Sequence, residues 1–390
     1  PGAATLSSGA IHTPLGAVPI DAEAVRTLRA AAPLIEDLPE AFTGEHSVEV
    51  ELPFLQRTLG RFKLVPLLMN AEDPEAARLV GEALAGLLRS GKVLLVVSSD
   101  LSHYPDRDTA RIVDRTSLAA LLASAEDPAF FWQTNRLLMQ RAGRRNLVCT
   151  ECGEAAVLTA AHAMKALKAS PRLLLYTNSG EPSGSDSSRV VGYAAVAWTR
   201  APATPRPPLS PAQRQALLTL ARRTLKDYFE RQAEPQSALW PDPEFNLPAA
   251  LFVTLRRKDQ PKDRSLRGCI GTLAPTYPLA EAVQLYALES ALHDGRFEPV
   301  TGEELAGLSI EISRLSPPRQ TSAAKVQKGQ GVTLRQGERS GVFLPQVWDQ
   351  IPDKTSFLEE LCAQKAGLPR DCWKDARTRI EVFDAEAFEE

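Results

Sequence analysis

The chain predicts an α/β domain, with a parallel or mixed sheet covered by helices, followed by an α+β domain. Three observations carry this reading. Helical and strand patterns alternate through the first half, as they do where helices cover a sheet. The stretch from Arg200 to Pro211 is dense in proline and can neither pair in a sheet nor continue a helix. Beyond it, strands are grouped among three helices rather than alternating with them. The expected boundaries are a first domain over 1–200, a linker over 201–209 and a second domain over 210–390.

The first nineteen residues are punctuated by glycine and proline and predict neither helix nor strand. Glu45 to Leu59 places Val48, Leu52, Leu55 and Leu59 at helical spacing. Phe62 to Met69 follows as a strand and Pro74 to Ser90 as a helix. Lys92 to Val97 is apolar and β-branched after its lysine, the pattern of a strand buried on both faces. Ser98-Ser99-Asp100-Leu101-Ser102-His103 then sits at the carboxyl end of that strand, where open α/β sheets bind ligands. Helices over Asp106 to Ala123 and Gly153 to Lys168, with strands over Arg172 to Thr177 and Val190 to Trp198, complete the domain.

In the second half Ser210-Pro211-Ala212-Gln213 is a helix start, with a capping serine, a glutamine three residues on and proline at the first helical position. Strands are predicted over Ala250 to Arg256 and Ser265 to Leu273, joined by a polar turn over Lys258 to Arg264. A helix from Pro278 to His293 carries Leu279, Val283, Tyr286 and Ala287 on one face. Leu308 to Leu315, Gly331 to Leu334 and Gly341 to Leu344 read as strands, the last two joined across a hairpin at Gln336-Gly337-Glu338-Arg339. A helix near Ser356 to Ala366 and a strand near Thr378 to Phe383 close the pattern.

Composition excludes several function classes. The 390 residues carry 45 basic and 48 acidic side chains, and neither half is basic, which argues against binding of nucleic acid through phosphate contacts. No apolar run is long enough to span a bilayer, so no membrane partner is expected. Five cysteines, an odd number in a long chain, point to a reducing cytoplasm rather than a disulfide scaffold.

Several residue groups have the chemistry of a site. Cys149-Thr150-Glu151-Cys152 is a C-x-x-C, short of the four ligands of a structural zinc site and open to a redox dithiol. Cys152 precedes the Gly153 to Lys168 helix, whose dipole favours a thiolate able to act as ligand or nucleophile, a small buried cysteine packing under the helix being the alternative. Asp100 and His103 lie three apart after a strand and can share one crevice; capping for the aspartate and a surface role for the histidine are the plainer alternatives. In Leu266-Arg267-Gly268-Cys269-Ile270-Gly271, two glycines interrupt a strand beside Cys269, which suggests a shaped pocket, and Arg267 has the planar fork for a carboxylate or phosphate. A bulged strand with a buried cysteine is the alternative. His293 ends a helix favourably, and Glu311 faces either the same crevice or solvent.

With these residues in view, the first half resembles the Memo family, relatives of class III extradiol dioxygenases. The resemblance runs through Thr13-Pro14-Leu15-Gly16, Glu45-His46-Ser47-Val48-Glu49, Leu52-Pro53-Phe54, Ser98 to Tyr104, Cys152-Gly153, Asn178-Ser179-Gly180 and Arg189 to Ala194. The second half resembles the AMMECR domain through Leu266 to Leu273, His293-Asp294 with Arg296-Phe297, Glu311-Ile312-Ser313, Phe343 to Trp348 and Trp373-Lys374. This order is similar to the fused components of the AmmeMemoRadiSam system, which implies a radical-SAM protein as partner and a small-molecule substrate. The family implies a metal site of two histidines, from motifs upstream of Thr13, and a cysteine matching Cys152. Both histidine motifs are absent from this sequence. The expectations are therefore a domain lacking its N-terminal segment, an uncovered strand edge and weak binding of iron or copper at Cys152. Asp100 and His103 are expected to handle protons around substrate, with His46 nearby, in redox or dioxygenase-like chemistry. In the second domain Arg267 is expected to clamp an anion, Cys269 to be reactive, and His293 and Glu311 to bind ligand. The rival is a non-catalytic scaffold with a degenerate metal pocket; a thiol-disulfide protein using Cys149 and Cys152 is a third reading.

Overall fold

In the computed structural model, which describes residues 2–70, 73–143, 146–182, 184–201, 206–232, 235, 237–261 and 264–390, the chain forms two units. One comprises Pro1–Arg206 with Ala238–Leu247; the other comprises Pro207–Ser237 with Pro248–Glu390. Of the expected linker, residues 202–205 lie outside the described residues, as do 262 and 263 of the polar turn.

The first unit opens with strand β1 (Ala3–Thr5) and a hairpin of β2 (Ala10–Thr13) and β3 (Gly16–Pro19), so the glycine and proline read as plain punctuation are in part hairpin residues. Helix α1 (Ala22–Ala31) and strand β4 (Ile35–Asp37) follow, then α2 (Leu52–Leu59), β5 (Leu67–Met69) and α3 (Pro74–Leu88). The sheet runs β4-β1-β5 and is mixed: β1 is parallel to β4 and antiparallel to β5. The helix expected from Glu45 begins only at Leu52, because Pro53 suits a first helical turn and would break an interior one. Likewise the strand expected from Phe62 forms only over Leu67–Met69, with a single parallel bridge from Leu64 to Ile20 before it.

Helices α4 (Arg107–Ala123), α5 (Pro128–Ala142) and α6 (Glu154–Ala166) come next, then the antiparallel pair β6 (Ser170–Asn178) and β7 (Gly192–Thr199). Asp73, Asp106 and Asp127 accept backbone N–H bonds at the starts of α3, α4 and α5, satisfying donors a helix leaves orphaned. Helices α3 and α6 bury Val80, Leu84, Ala85 and Ala163 beside Leu28 and Ile35. A short helix, α8 (Pro243–Asn246), also belongs to this unit, and Leu247 joins Phe131, Leu121 and Leu158 in its core.

The largest departure from expectation is Lys92 to Val97. The run is in no strand, and Leu94 is 64% exposed. Its composition suits burial on two faces, but among the described residues it has no strand partner to supply them. Leu174 and Leu175 on β6 are similarly exposed.

In the second unit, α7 (Pro211–Arg231) starts at Ser210 with the predicted reciprocal capping box. One antiparallel sheet, in the order β15-β10-β8-β9, uses β8 (Pro248–Arg257), β9 (Leu266–Pro278), β10 (Leu308–Leu315) and β15 (Ala385–Glu389). Helix α9 (Leu279–Leu292) lies against β8 and β9. A second antiparallel sheet, β11-β14-β12-β13, comprises β11 (Arg319–Thr321), β12 (Gly331–Gln336), β13 (Arg339–Phe343) and β14 (Arg379–Phe383). Gln336 pairs with Arg339 across the predicted hairpin. Below this sheet, α10 (Lys354–Glu360) buries Phe357 against Trp348, with ring centroids 3.9 Å apart, and Cys362 is bonded to Cys372 in the same core.

The two glycines of β9 mark close approach rather than a pocket. A Cβ at Gly268 would run into the carbonyl oxygen of Ser290 on α9, and one at Gly271 into the backbone of Leu251 and Phe252 on β8. Gly268→Ala is therefore expected to destabilise the second unit by about 1–3 kcal/mol, the cost typical of overpacking. Chemical denaturation of the full chain, followed by Trp fluorescence, would show the lower midpoint.

Candidate functional site

The segment from Asp100 to His103 is pinned on two sides by backbone hydrogen bonds. On one side Leu101 N–H donates to the Gly192 carbonyl at 2.9 Å, and Gly192 N–H to that of Ser102 at 3.0 Å. On the other, His103 N–H donates to the Cys149 carbonyl, Val148 N–H to that of His103 and Cys152 N–H to that of Asp100. Gly153 N–H donates to Ser99 Oγ at 2.9 Å, and a Cβ at Gly153 would sit 2.7 Å from that serine, so only glycine lets the start of α6 close on this segment. The turn then leaves through Tyr104, whose φ of 73° is uncommon for an aromatic residue; the Arg189 guanidinium lies 3.9 Å from the centre of its ring.

This framework lines up three side chains. His103 Nε2 is 2.8 Å from Asp100 Oδ2, and its Nδ1 is 3.4 Å from Cys152 Sγ. Cys149 completes the group: the donor atoms of His103, Cys149 and Cys152 all lie within 4.8 Å of one another. Cys149 and Cys152 are joined as a disulfide, the pairing that the thiol-disulfide reading requires, which corrects the expectation of a free Cys152 thiolate; with Cys362–Cys372 it makes two disulfides where the cysteine count had pointed to a reducing compartment. The sulfurs meet because three-residue spacing leading into a helix brings the two Cα atoms to 5.8 Å, within bonding range. The C-x-x-C spacing was the signal for Cys149, which had been given no role at the metal. His46 does not join the group; it sits on the turn before α2 with its side chain exposed.

Beneath the segment lie two acids that the sequence did not single out. Asp114 on α4 accepts Ser102 N–H at 3.0 Å and Tyr176 O–H at 2.9 Å, yet burial outweighs both bonds and pushes its carboxyl up to about 6. Glu151, between the two cysteines, is held at about 8 by burial, against one hydrogen bond from Ser117, and so keeps its proton at neutral pH. The one sign of Asp114 was a charge set beside Ile112 and Val113.

In the second unit the predicted residues separate. Arg267 is 5% exposed, and its fork is spent on Glu304 and on the carbonyls of Glu298 and Pro299. The expected anion clamp is thus a tie between β9 and the loop after α9. Cys269 lies across from Thr254, whose hydroxyl is 3.4 Å from the sulfur, and burial pushes the thiol up, away from the thiolate a reactive cysteine needs. Its N–H donates to Asp294, which Arg296 holds down at about 2. Glu311 pairs with Arg256 at 3.2 Å, and His293 lies 3.1 Å from Glu289 at the exposed end of α9. Asp294 and Arg296 stood in the recognised motif beside His293, but it is they that reach the Cys269 backbone.

Comparison with known proteins adds the following. The profile of the Memo-like protein family matches residues 2–197, and that of AMMECR1 matches residues 218–388. Protein PH0010 of Pyrococcus horikoshii is 40% identical over 186 residues, 45% of this chain and 88% of that protein. Protein PF1979 of Pyrococcus furiosus is 39% identical over 188 residues, 45% of this chain and 86% of its own length. The crystal structure of uncharacterized protein PH0010 matches 45% of this chain and 90% of its own at 40% identity, with a TM-score of 0.42. Among the described residues no helix is long and apolar enough to cross a membrane.

Two measurements check the electrostatics. Between pH about 4 and about 6 the folded chain keeps a proton on Asp114 that the unfolded chain has lost, so stability falls as the pH rises through that window, by at most about 3 kcal/mol. Asp114→Asn is expected to flatten that fall in pH-dependent denaturation. Cys269, by contrast, is expected to react with a small alkylating reagent at neutral pH more slowly than free cysteine by about tenfold or more, read by peptide mass spectrometry.

Proposed function

Because the chain belongs to the Memo-like protein family over residues 2–197, with an AMMECR1 domain over 218–388 of the same chain, we propose that Asp100, His103 and Cys152 form a metal-dependent redox site acting on a small molecule. The observation that carries the reading is the continuous line from carboxylate to imidazole to sulfur, at 2.8 and 3.4 Å. Two sulfurs and an imidazole are a donor set suited to copper or iron once the sulfurs are released from each other. Such an ion would supply one-electron chemistry at Cys152.

The protein's own residues have definite tasks in this reading. Asp100 accepts the Nε2 proton of His103, which leaves the Nδ1 lone pair turned toward Cys152. His103 is thereby fixed as a ligand or proton acceptor at one atom, with Asp100 holding the ring in place. The backbone bonds on either side keep the line from opening. The order of the two domains further supports membership of the AmmeMemoRadiSam system, with a radical-SAM protein as partner. Location in the cytoplasm belongs to the same reading.

A scaffold function is the second reading, and it is favoured by the commitment of Cys152 to a disulfide and of Arg267 to Glu304. Metal content separates the two. After reduction, the purified chain is expected to take up one iron or copper ion, held weakly enough for a chelator to strip, because three donors do not close a four-ligand shell. Cys152→Ser should lower occupancy at matched metal concentration by about tenfold or more. Asp100→Asn should retain the ion and lose turnover. Occupancy that is unchanged in Cys152→Ser would overturn the assignment.

A further inference from the structure

We propose that the Cys149–Cys152 disulfide is a reversible redox gate on this metal site, closed to metal when oxidised and presenting two thiolates and the His103 imidazole to one cation when reduced. The inference rests on the metal reading of the same site and adds Cys149 as the residue that withholds Cys152.

Three features of the structure support it. First, the bond is accessible: Cys152 is exposed and Cys149 half-buried, whereas Cys362 and Cys372 are 0% and 4% exposed inside a core. An external thiolate therefore meets Cys152 first. Second, the third donor is already present, with His103 Nδ1 3.4 Å from the Cys152 sulfur and its ring oriented by Asp100. Third, both cysteines are fixed through their backbones, Cys149 by the His103 N–H and Cys152 by the Asp100 carbonyl, so breaking the sulfur bond does not dismantle the site.

The exchange balances with a dithiol as reductant. One reagent thiolate attacks the Cys152 sulfur and the bond to Cys149 breaks, leaving Cys149 as a thiolate. The second reagent thiolate then displaces Cys152 and closes the reagent's own disulfide. Two electrons pass to the protein sulfurs, and the reagent's two protons go to them or to solvent.

The test uses the full chain with Co²⁺ as probe, before and after treatment with dithiothreitol and its removal in oxygen-free buffer. Thiolate-to-cobalt absorption and metal analysis read uptake, and peptide-resolved alkylation reads each cysteine. The proposal expects no thiolate-to-cobalt band from the oxidised chain, and one ion per chain after Cys149 and Cys152 become alkylatable. Cys149→Ser should bind Co²⁺ without prior reduction, about tenfold more weakly, and His103→Ala should weaken uptake by the reduced chain. Equal uptake before and after reduction, still lost in Cys152→Ser, would overturn the gate and leave the metal site standing. So would a Cys149–Cys152 bond that resists dithiothreitol in the folded chain. Absence of uptake in both states would overturn the gate and the metal reading together.

Discussion

The candidate site depends on the backbone pinning of Asp100 to His103 between Gly192 on one side and the Cys149 to Cys152 turn on the other. Buried amides and carbonyls must be paired, and here the pairing that satisfies them also fixes three side chains in line. Were the hydrogen bonds from Leu101, His103 and Cys152 lost, neither the carboxylate nor the sulfur would have reason to face the imidazole. The glycine at 153 is part of the same constraint, since a larger residue would hold α6 away from Ser99.

The second unit uses polar groups differently. Arg267, Glu304, Asp294 and Arg296 are tied to one another or to backbone, and they fasten β9 to the segment after α9. Their charges are neutralised by close partners, so a guanidinium and a carboxylate that look like ligand-binding groups in the sequence are consumed in holding the fold. Removing Glu304 is expensive because the Arg267 guanidinium, whose side chain is 6% exposed, would be stranded. The thiol of Cys269 is shielded in the same way, by burial and by Thr254.

Much of the second unit was legible in the sequence because its signals are local. The capping box at Ser210, the two-residue hairpin after Gln336 and the helix ended by His293 all stand where residue chemistry puts them. The first unit was less legible where pairing partners lie far apart. Lys92 to Val97 has the composition of a central strand, but composition does not supply a neighbour, and the run stays unpaired. The opening hairpin was missed because Gly16 serves a turn rather than a loop. At the site, Cys152 stands before α6 as its sequence position implies, and the C-x-x-C spacing carried the thiol-disulfide reading. Asp100 and His103, by contrast, were placed after a strand that does not form and are brought together by the backbone bonds to Gly192 and the Cys149 to Cys152 turn. No spacing rule announces Asp114, whose partners Ser102 and Tyr176 come from distant segments.

Glu151 carries a consequence outside the site. The formal charge of −3 counts every carboxyl as ionised, including one that retains its proton to about pH 8. The folded chain is therefore one unit less negative near neutrality than its composition states, while the unfolded chain has the full count. Native electrophoresis would separate the two forms by charge as well as by size, and anion-exchange retention would strengthen on unfolding before any change in covalent structure.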